Sequence, residues 1–274
     1  MIGRETGYGT KAIGKKYTES YRVYVTENGK AISPVHDIKL KDGDLFNAVN
    51  EIPRFENAKF EISKADSFNP IKQDVKKGNV RFVANMFPAK GYIGNYGAFP
   101  ETYEDPEKED VICKAKGDND PLDLVEVGQR IKGIGEVYKC KILGCLAMID
   151  DNEADWKVIV VDSRDPLAEK CNDIEDLRRE SPGLLETLYE WFRDYKKPDG
   201  KGENRFGLNG EYRGAEFARE IVEKAHASYN ELIKSKTNKM SMKSRKNGDE
   251  IVLDKIEEDA AVVPESVGGY FYRK

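Results

Sequence analysis

Three aspartates stand close together in the segment KGDNDPLDL, residues 116–124. Asp118, Asp120 and Asp123 fall within six positions, and Pro121 stiffens the loop between the second and the third. Carboxylates this close repel one another unless a cation lies between them. Asp118 and Asp120 are two residues apart in an extended loop, so their side chains tend toward the same side. The segment therefore predicts a site for a bound cation.

A second acidic segment, MIDDNEADWKV, adds further carboxylates. We place Asp150 at the end of one predicted strand and Asp155 at the start of the next, with Lys157 two residues beyond. Hard oxygen ligands in this number suit Mg²⁺ or Mn²⁺ rather than zinc. The two acidic segments together predict a site that holds several such ions.

Basic side chains are predicted beside the acidic segments. In NAKFEISK, Lys59 and Glu61 share one face of a predicted strand, and apolar residues share the other. Arg81, in NVRFV, is flanked by residues that would point inward. Metal ions beside Lys59, Arg81 and Lys157 imply a ligand with concentrated negative charge, and a polyanionic phosphate fits best.

Several other kinds of site do not fit the sequence. In GTKAIGKK, Lys16 stands where a P-loop needs a hydroxyl, and no strand precedes the loop. A calcium loop fails because Leu122 replaces an oxygen ligand and Gln129 replaces the bidentate glutamate. His36 and His226 are the only histidines, which leaves little for a catalytic triad, a Cys-His dyad or a zinc site. A two-carboxylate glycosidase would explain neither the surplus of acids nor the bases.

Composition sets the broad class. The chain has 274 residues, enough for one large domain or two small ones. With 35% charged residues but a net charge of only −5, it shows no strong attraction to nucleic acid or to an anionic membrane. No apolar run approaches the roughly 18 residues of a membrane span, and no targeting signal is visible. The four cysteines form no C-x-x-C pair, so we predict reduced thiols and a cytoplasmic location.

Hydrophobic periodicity predicts strands first and helices later, an α+β fold that is mainly β. Short alternating or apolar runs between residues 21 and 161 are YRVYVTE, AKFEISK, VRFVAN, DLVEV, EVYKCKILG and WKVIVV. SPGLLETLYEWFRDY predicts a helix with Ser181 as its cap and Pro182 in its first turn. GAEFAREIVEKAHASYNELIKS predicts a second amphipathic helix that ends near Lys234.

The sequence changes character after Ser235. SKTNKMSMKSRKN is basic, DEIVLDKIEEDA is acidic, and few apolar residues recur at a regular spacing. We therefore predict one domain over residues 1–236, with its core at about 21–234, and a loosely ordered extension over residues 237–274. We expect the extension to be dispensable for catalysis, although Tyr270, Phe271 and Tyr272 are unusual in a solvated tail.

Several segments resemble the family I inorganic pyrophosphatases of the eukaryotic, long-chain type. The resemblance covers residues 21–234 and rests on GDNDPLD, EIPR (51–54), NAKFEI, RFV, GYIGNYGAFPET (91–102), DWKV and YKKPDGK (195–201). The D-x-D-P-x-D motif followed by D-x-x-x-x-D-x-K is highly specific to that family. The resemblance implies a five-stranded OB-like β-barrel with flanking helices and Mg²⁺-dependent hydrolysis of pyrophosphate to two phosphates, with Mn²⁺ as a substitute ion.

The resemblance also implies a role for each site residue. Asp120 would orient and deprotonate the attacking water, with Lys59, Arg81 and Tyr96 as further catalytic residues. The implied metal ligands are Asp118, Asp123, Asp150, Asp155, Glu51 and Glu61. The implied substrate-binding residues are Lys59, Arg81, Tyr92, Tyr96, Lys157, Tyr195, Lys196 and Lys201.

The family commonly forms homodimers, in part around EIPR and FPAKGY, where Phe55 and Lys90 depart from its fungal members. Two alternatives to a plain enzyme stay open at this point. Some family members are subunits of chromatin-remodelling assemblies, where the fold serves mainly as a binding module. An oligonucleotide-binding barrel would need exposed aromatics on a basic groove, and the aspartates would repel a phosphate backbone unless metals were present.

Overall fold

The computed structural model describes residues 7–235 and 240–272. Its strands are β1 (Tyr8–Lys15), β2 (Arg22–Glu27), β3 (Lys30–Ile32), β4 (Lys41–Asp42), β5 (Leu45–Ile52), β6 (Phe60–Ile62), β7 (Ile71–Gln73), β8 (Val75–Lys76), β9 (Asn79–Val80), β10 (Asn85–Met86), β11 (Asn95–Ala98), β12 (Glu109–Asp110), β13 (Ala115–Gly117), β14 (Asp123–Glu126), β15 (Val137–Asp150), β16 (Glu153–Asp162), β17 (Arg205–Phe206), β18 (Arg213–Gly214), β19 (Glu257–Glu258) and β20 (Tyr270–Phe271). The α-helices are α1 (Pro166–Lys170), α2 (Ile174–Glu180), α3 (Leu184–Asp194) and α4 (Ala215–Leu232).

Five strands are hydrogen-bonded in a ring. β14 pairs with β11, β11 with β5, β5 with β15, and β15 with β16, all antiparallel. β16 then pairs with β14 in parallel, which completes the ring. This is the five-stranded arrangement expected of an OB-like barrel. Because every ring strand is paired on both sides, the residues at the strand ends are held in fixed positions.

Two apolar layers hold the ring rigid. Alternate residues of the long strands β15 and β16 point to opposite sides, so each strand contributes to both layers. α3 packs Trp191 and Phe192 into one layer, and α4 covers the other with Ile221 and Val222. The strands predicted from DLVEV, EVYKCKILG and WKVIVV form three of the five ring strands, and α4, predicted as an amphipathic helix, buries one apolar face.

A second sheet lies beside the ring and contains the strands β19, β1, β2, β7 and β6 in that order, with β3 on β2. β6 buries Phe60 and Ile62 and leaves Glu61 partly exposed, as its alternating sequence predicts. Lys59 immediately precedes this strand. The second sheet therefore places Lys59 and Glu61 next to the ring.

Two local predictions were wrong. α3 begins at Leu184, because Gly183 adopts the left-handed conformation at φ 84° before it. Ser181 instead ends α2, where its N–H donates to the Leu177 carbonyl. VRFVAN does not form one strand: only its ends pair, in β9 and β10, and a single bridge joins Phe82 to Ala58 in between.

The C-terminal segment of residues 240–272 lies against the rest of the protein. β19 pairs with β1 and β20 pairs with β10, while Met240 and Ser244 are buried. The sequence predicted a loosely ordered extension, whereas these residues make defined contacts. The contacts could not be predicted because the pairing strands are distant in sequence. The domain boundary at 236–237 stays a prediction, since residues 236–239 lie outside the described residues.

None of the helices in residues 7–235 and 240–272 combines the length and the apolar character needed to cross a bilayer.

The apolar layers make a prediction about stability. Ile142 on β15 is 1% exposed, so Ile142→Ala should lower the free energy of unfolding by about 2–5 kcal/mol through lost burial and a cavity. Val262→Ala is the control, since Val262 is 95% exposed and should change stability by less than about 0.5 kcal/mol. Urea unfolding measures both, and equal values for the two variants would contradict the assigned core.

Candidate active site

Thirteen of the fifteen predicted site residues line one cavity of about 180 Å³ at the mouth of the ring. They are Glu51, Lys59, Glu61, Arg81, Tyr92, Tyr96, Asp118, Asp120, Asp123, Asp150, Asp155, Tyr195 and Lys196. Lys157 is buried directly beneath the lining, with its side chain 1% exposed. Lys201 lies outside the cavity, in a separate depression with Asp151 and Arg205.

The aspartate loop has a defined local geometry. Asn119 adopts a left-handed conformation at φ 68°, which lets the Asp118 side chain accept a hydrogen bond from the Asp120 N–H at 3.0 Å. The backbone of Glu104 forms two hydrogen bonds with the loop. Its N–H donates to the Asp120 carbonyl at 2.8 Å, and its carbonyl accepts from the Asn119 N–H at 2.9 Å. Pro121 then leads into β14. These bonds hold Asp118 and Asp120 side by side.

Lys157 is the central cation of the acidic cluster. Its ammonium contacts Asp155, donates to Asp123 at 2.5 Å and donates to the Tyr96 hydroxyl at 2.8 Å. The pairing of β14 with β16 places Lys157 beside Asp123, so sheet register creates this contact. Burial alone would lower the pKa of Lys157, but the charges of Asp123 and Asp155 raise it. Lys157 therefore stays charged and orients the two carboxylates.

A second charged group comes from the neighbouring sheet. The Lys59 ammonium lies 2.8 Å from Glu61 and 3.4 Å from Asp74. The Arg81 guanidinium donates to the same Asp74 carboxylate at 3.1 Å. Although burial disfavours the charged form, Glu61 raises the pKa of Lys59. Asp74 thus holds Lys59 and Arg81 together on one wall of the cavity.

The opposite wall comes from the residues that follow α3. The Tyr195 hydroxyl donates to Asp150 at 3.0 Å, and the buried Lys196 ammonium contacts Asp150 and lies 2.9 Å from Asp151. Lys201 also binds Asp151. Lys201 therefore reaches the cavity only through Asp151, the carboxylate that it shares with Lys196, and it lies farther out than the sequence predicted.

The carboxylates outnumber the cations that neutralise them. Burial, and to a lesser extent the neighbouring carboxylates, raises the pKa of three acids well above the usual value: Glu51, Glu104 and Asp118. Burial also raises the pKa of Asp155 to about 7, despite its contact with Lys157. Repulsion of this kind is relieved by an added positive charge.

The residues present fit a hard divalent metal ion. One oxygen each from Glu104, Asp118 and Asp155 lie within 4.8 Å of one another. The Glu104 Oε2 atom is buried and finds no hydrogen-bond donor among residues 7–235 and 240–272. Carboxylate oxygens are the ligands that Mg²⁺ and Mn²⁺ prefer. The cluster is therefore suited to a divalent cation of this kind.

Sequence reasoning missed two residues of this site. Glu104 follows the GYIGNYGAFPET segment by two positions but carries no spacing signal that ties it to Asp118. Lys64 lies at the end of NAKFEISK, and its ammonium is 2.6 Å from Asp120. Lys64 and Asp120 are more than fifty positions apart, and Glu104 and Asp118 belong to different segments, so only the folded chain reveals these contacts.

Comparisons with known proteins agree on one family. The family model described as inorganic pyrophosphatase matches residues 48–230. The inorganic pyrophosphatase of Candida albicans is 49% identical over 235 residues, which cover 85% of this chain and 82% of the relative. The structure of inorganic pyrophosphatase from Schistosoma japonicum has a TM-score of 0.90 and 38% identity, covering 97% of this chain and all of that one. An N-terminally truncated vacuolar soluble pyrophosphatase of Trypanosoma cruzi, solved in complex with PPi, has a TM-score of 0.77 and 38% identity over 83% of this chain and 92% of that one.

Glu104, whose Oε2 atom lacks a donor among the described residues while Oε1 accepts from the Trp156 N–H, makes a prediction about metal-free stability. The pKa of Glu104 is higher in the folded than in the unfolded chain. The stability that the folded chain gains from protonated Glu104 is therefore fully present below about pH 4 and is lost as the pH rises toward the folded pKa. Glu104→Gln should therefore raise the thermal midpoint in EDTA at pH 8, by about 2–4 °C for each ~1 kcal/mol removed.

Added Mg²⁺ should raise the midpoint of the wild type more than that of Glu104→Gln. Glu107→Gln is the control, because the Glu107 side chain is 87% exposed. Identical responses to pH and to Mg²⁺ in the wild type and in Glu104→Gln would contradict the assignment.

Proposed function

Because the chain belongs to the inorganic pyrophosphatase family, we propose that it hydrolyses inorganic pyrophosphate to two phosphates with the help of Mg²⁺ ions held at the carboxylate cluster. The main support is the cavity, in which carboxylates that lack enough cationic partners line the same space as lysine, arginine and tyrosine side chains. Bound there, Mg²⁺, or Mn²⁺ as a substitute, would neutralise phosphate oxygens and lower the pKa of a water. Asp118, Asp123, Asp150, Asp155, Glu51 and Glu61 are the proposed metal ligands, and Glu104 joins them on its geometry.

Asp120 is the proposed general base. It is partly buried at the edge of the cluster, beside the Asp118 carboxylate, so it can reach a water that is oriented between the acids. Its carboxylate accepts the proton as the water attacks phosphorus, and no protein nucleophile is needed. The cavity lining includes no histidine, which agrees with a reaction carried by carboxylates.

The cationic walls are the proposed phosphate sites. Lys59 and Arg81 offer donors on one side, and Tyr195 and Lys196 on the other, with Tyr92 between them in the lining. Their present partners are Asp74 and Asp150, so a phosphate would compete with carboxylates that already hold the donors in place. Tyr96 acts from the lining and accepts a hydrogen bond from Lys157 beneath it, and Lys201 acts through Asp151 from outside. These groups stabilise the charge of the leaving phosphate.

A binding role in chromatin-remodelling assemblies has no support in these comparisons, because the relatives named above are all pyrophosphatases. The oligonucleotide-binding alternative is also disfavoured, since the barrel mouth is lined by carboxylates. For location, the four unpaired, buried cysteines support a cytoplasmic protein.

We also expect a homodimer. Phe87 and Tyr272 are exposed and stack on each other with ring centroids 5.0 Å apart, Tyr270 meets Phe87 edge-on, and Phe55 is 49% exposed. Such a surface is typical of a contact between subunits. Sedimentation equilibrium of the full chain tests this: we expect twice the chain mass for the wild type and a lower mass for Phe87→Asp, and a monomeric wild type contradicts it.

Replacing the proposed base gives a direct test. Asp120→Asn keeps the shape of the side chain but cannot accept the proton, so kcat for phosphate release should fall by about 10²–10⁴. The fold should be kept, as judged by circular dichroism. Turnover near the wild-type rate would remove Asp120 from this role.

Two further variants separate substrate binding from metal binding. Arg81→Ala should raise KM for pyrophosphate with little change in the Mg²⁺ requirement, because Arg81 is a phosphate donor. Asp123→Ala should shift the Mg²⁺ activation curve to higher concentration, because a ligand is lost. Titration of Mg²⁺ at saturating pyrophosphate compares them, and superimposable curves would speak against separate roles.

A further inference from the structure

The Lys64 side chain is 31% exposed and contacts the proposed base, Asp120, whose side chain is 41% exposed. Its ammonium lies 2.6 Å from the Asp120 Oδ1 atom. The other charges that act on Asp120 include Glu61 and Asp123, both negative. Within the described part of the chain, Lys64 is the side chain that forms an ion pair with Asp120. A cation on one oxygen fixes the rotation of a carboxylate and leaves the second oxygen free to accept a proton.

The loop that carries Lys64 has an unusual backbone. Phe68 and Asn69 both adopt positive φ, at 64° and 44°. A bulky aromatic residue is rare in this region, and such a conformation persists only where its surroundings hold it. Phe68 is 1% exposed and Asn69 is fully buried, so strong local contacts must fix the loop over residues 63–69.

Part of those contacts comes from the C-terminal segment of residues 240–253, which we call the clasp. The Ser241 N–H donates to the Lys64 carbonyl at 2.6 Å. The Phe68 N–H donates to the Lys243 carbonyl at 3.2 Å, and the Asn69 amide donates to the Ser241 carbonyl at 3.2 Å. The clasp is therefore bonded to the residue that bears the ammonium and to both strained residues.

Apolar packing joins the clasp to the same loop. Ile251 and Leu253 pack against the small cluster that contains Phe68, while Val252 between them is 84% exposed. Alternate residues of this extended segment thus face the solvent and the cluster that Phe68 forms with Tyr24 and Ala31. Neither Ile251 nor Leu253 lines the cavity, so replacing this pair weakens the packing of the clasp around Phe68 without changing the lining.

We propose that Lys64 is a positioning residue that fixes the Asp120 carboxylate, and that the clasp holds the loop that presents Lys64. The proposal rests on the role proposed for Asp120. It replaces the expectation that the extension is dispensable for catalysis, because residues of the extension hydrogen-bond to the loop that reaches the base.

The first experiment measures steady-state hydrolysis of pyrophosphate by variants of the full chain. Lys64→Met removes the ammonium and should lower kcat by about 10- to 100-fold with KM within about twofold, the loss that a misplaced catalytic group produces. Lys64→Arg keeps the charge and should restore kcat to within about threefold of the wild type. Lys224→Met, at an exposed lysine on α4, is the matched control and should leave kcat unchanged.

The second experiment tests the clasp. Ile251→Asp with Leu253→Asp should lower kcat in the same direction as Lys64→Met, whereas Val252→Asp should not. Combined with Lys64→Met, the double replacement should add little further loss, because the clasp acts through Lys64. Thermal midpoints check that each variant is folded, and Leu253→Ser serves if the double replacement does not fold.

Three outcomes would overturn the proposal. One is a wild-type kcat in Lys64→Met, and another is a raised KM at unchanged kcat, which would make Lys64 a phosphate ligand. The third is an equal loss from Lys64→Met in the wild type and in the Asp120→Asn background, since Lys64 would then act independently of the base. If Asp120→Asn alone is inactive while Lys64→Met is fully active, the positioning proposal fails and the proposed base stands.

Discussion

Repulsion among buried carboxylates is the constraint on which this site depends. Glu51, Glu104, Asp118 and Asp155 are drawn from four separate segments into one small volume, where burial and mutual charge raise their pKa values. Lys157 offsets part of the charge through its ion pairs with Asp155 and with the neighbouring Asp123. The remaining imbalance suits a divalent cation, because an added positive charge relieves the repulsion among buried carboxylates.

The ring of five strands sustains this arrangement. β14, β15 and β16 end or begin at the acidic residues, and pairing on both sides prevents them from moving apart. The second sheet and the turn after α3 bring the cationic walls, each tied to a carboxylate such as Asp74 or Asp150. The donors are thereby oriented before a phosphate arrives, which is the condition for electrostatic stabilisation without reorganisation.

Much of the site could be predicted because its signals are local. The spacing of Asp118, Asp120 and Asp123 is visible in one loop, and the alternation around Lys59 and Glu61 gives their common face. The family motifs added the tyrosines. The start of α3 was misplaced because the left-handed Gly183 overrides the nearby serine signal. Lys64 and the clasp escaped prediction because their contacts join residues more than fifty positions apart, and the C-terminal segment has no apolar period of its own.

We expect hydrolysis to depend on a divalent cation that relieves the repulsion among the carboxylates. Phosphate release from pyrophosphate by the purified full chain, followed as Mg²⁺ is added from an EDTA-treated stock, measures this directly. We expect no release above background without the metal and a saturable rise with Mg²⁺. Release in EDTA at the rate seen with Mg²⁺, or no release at any Mg²⁺ concentration, would contradict it.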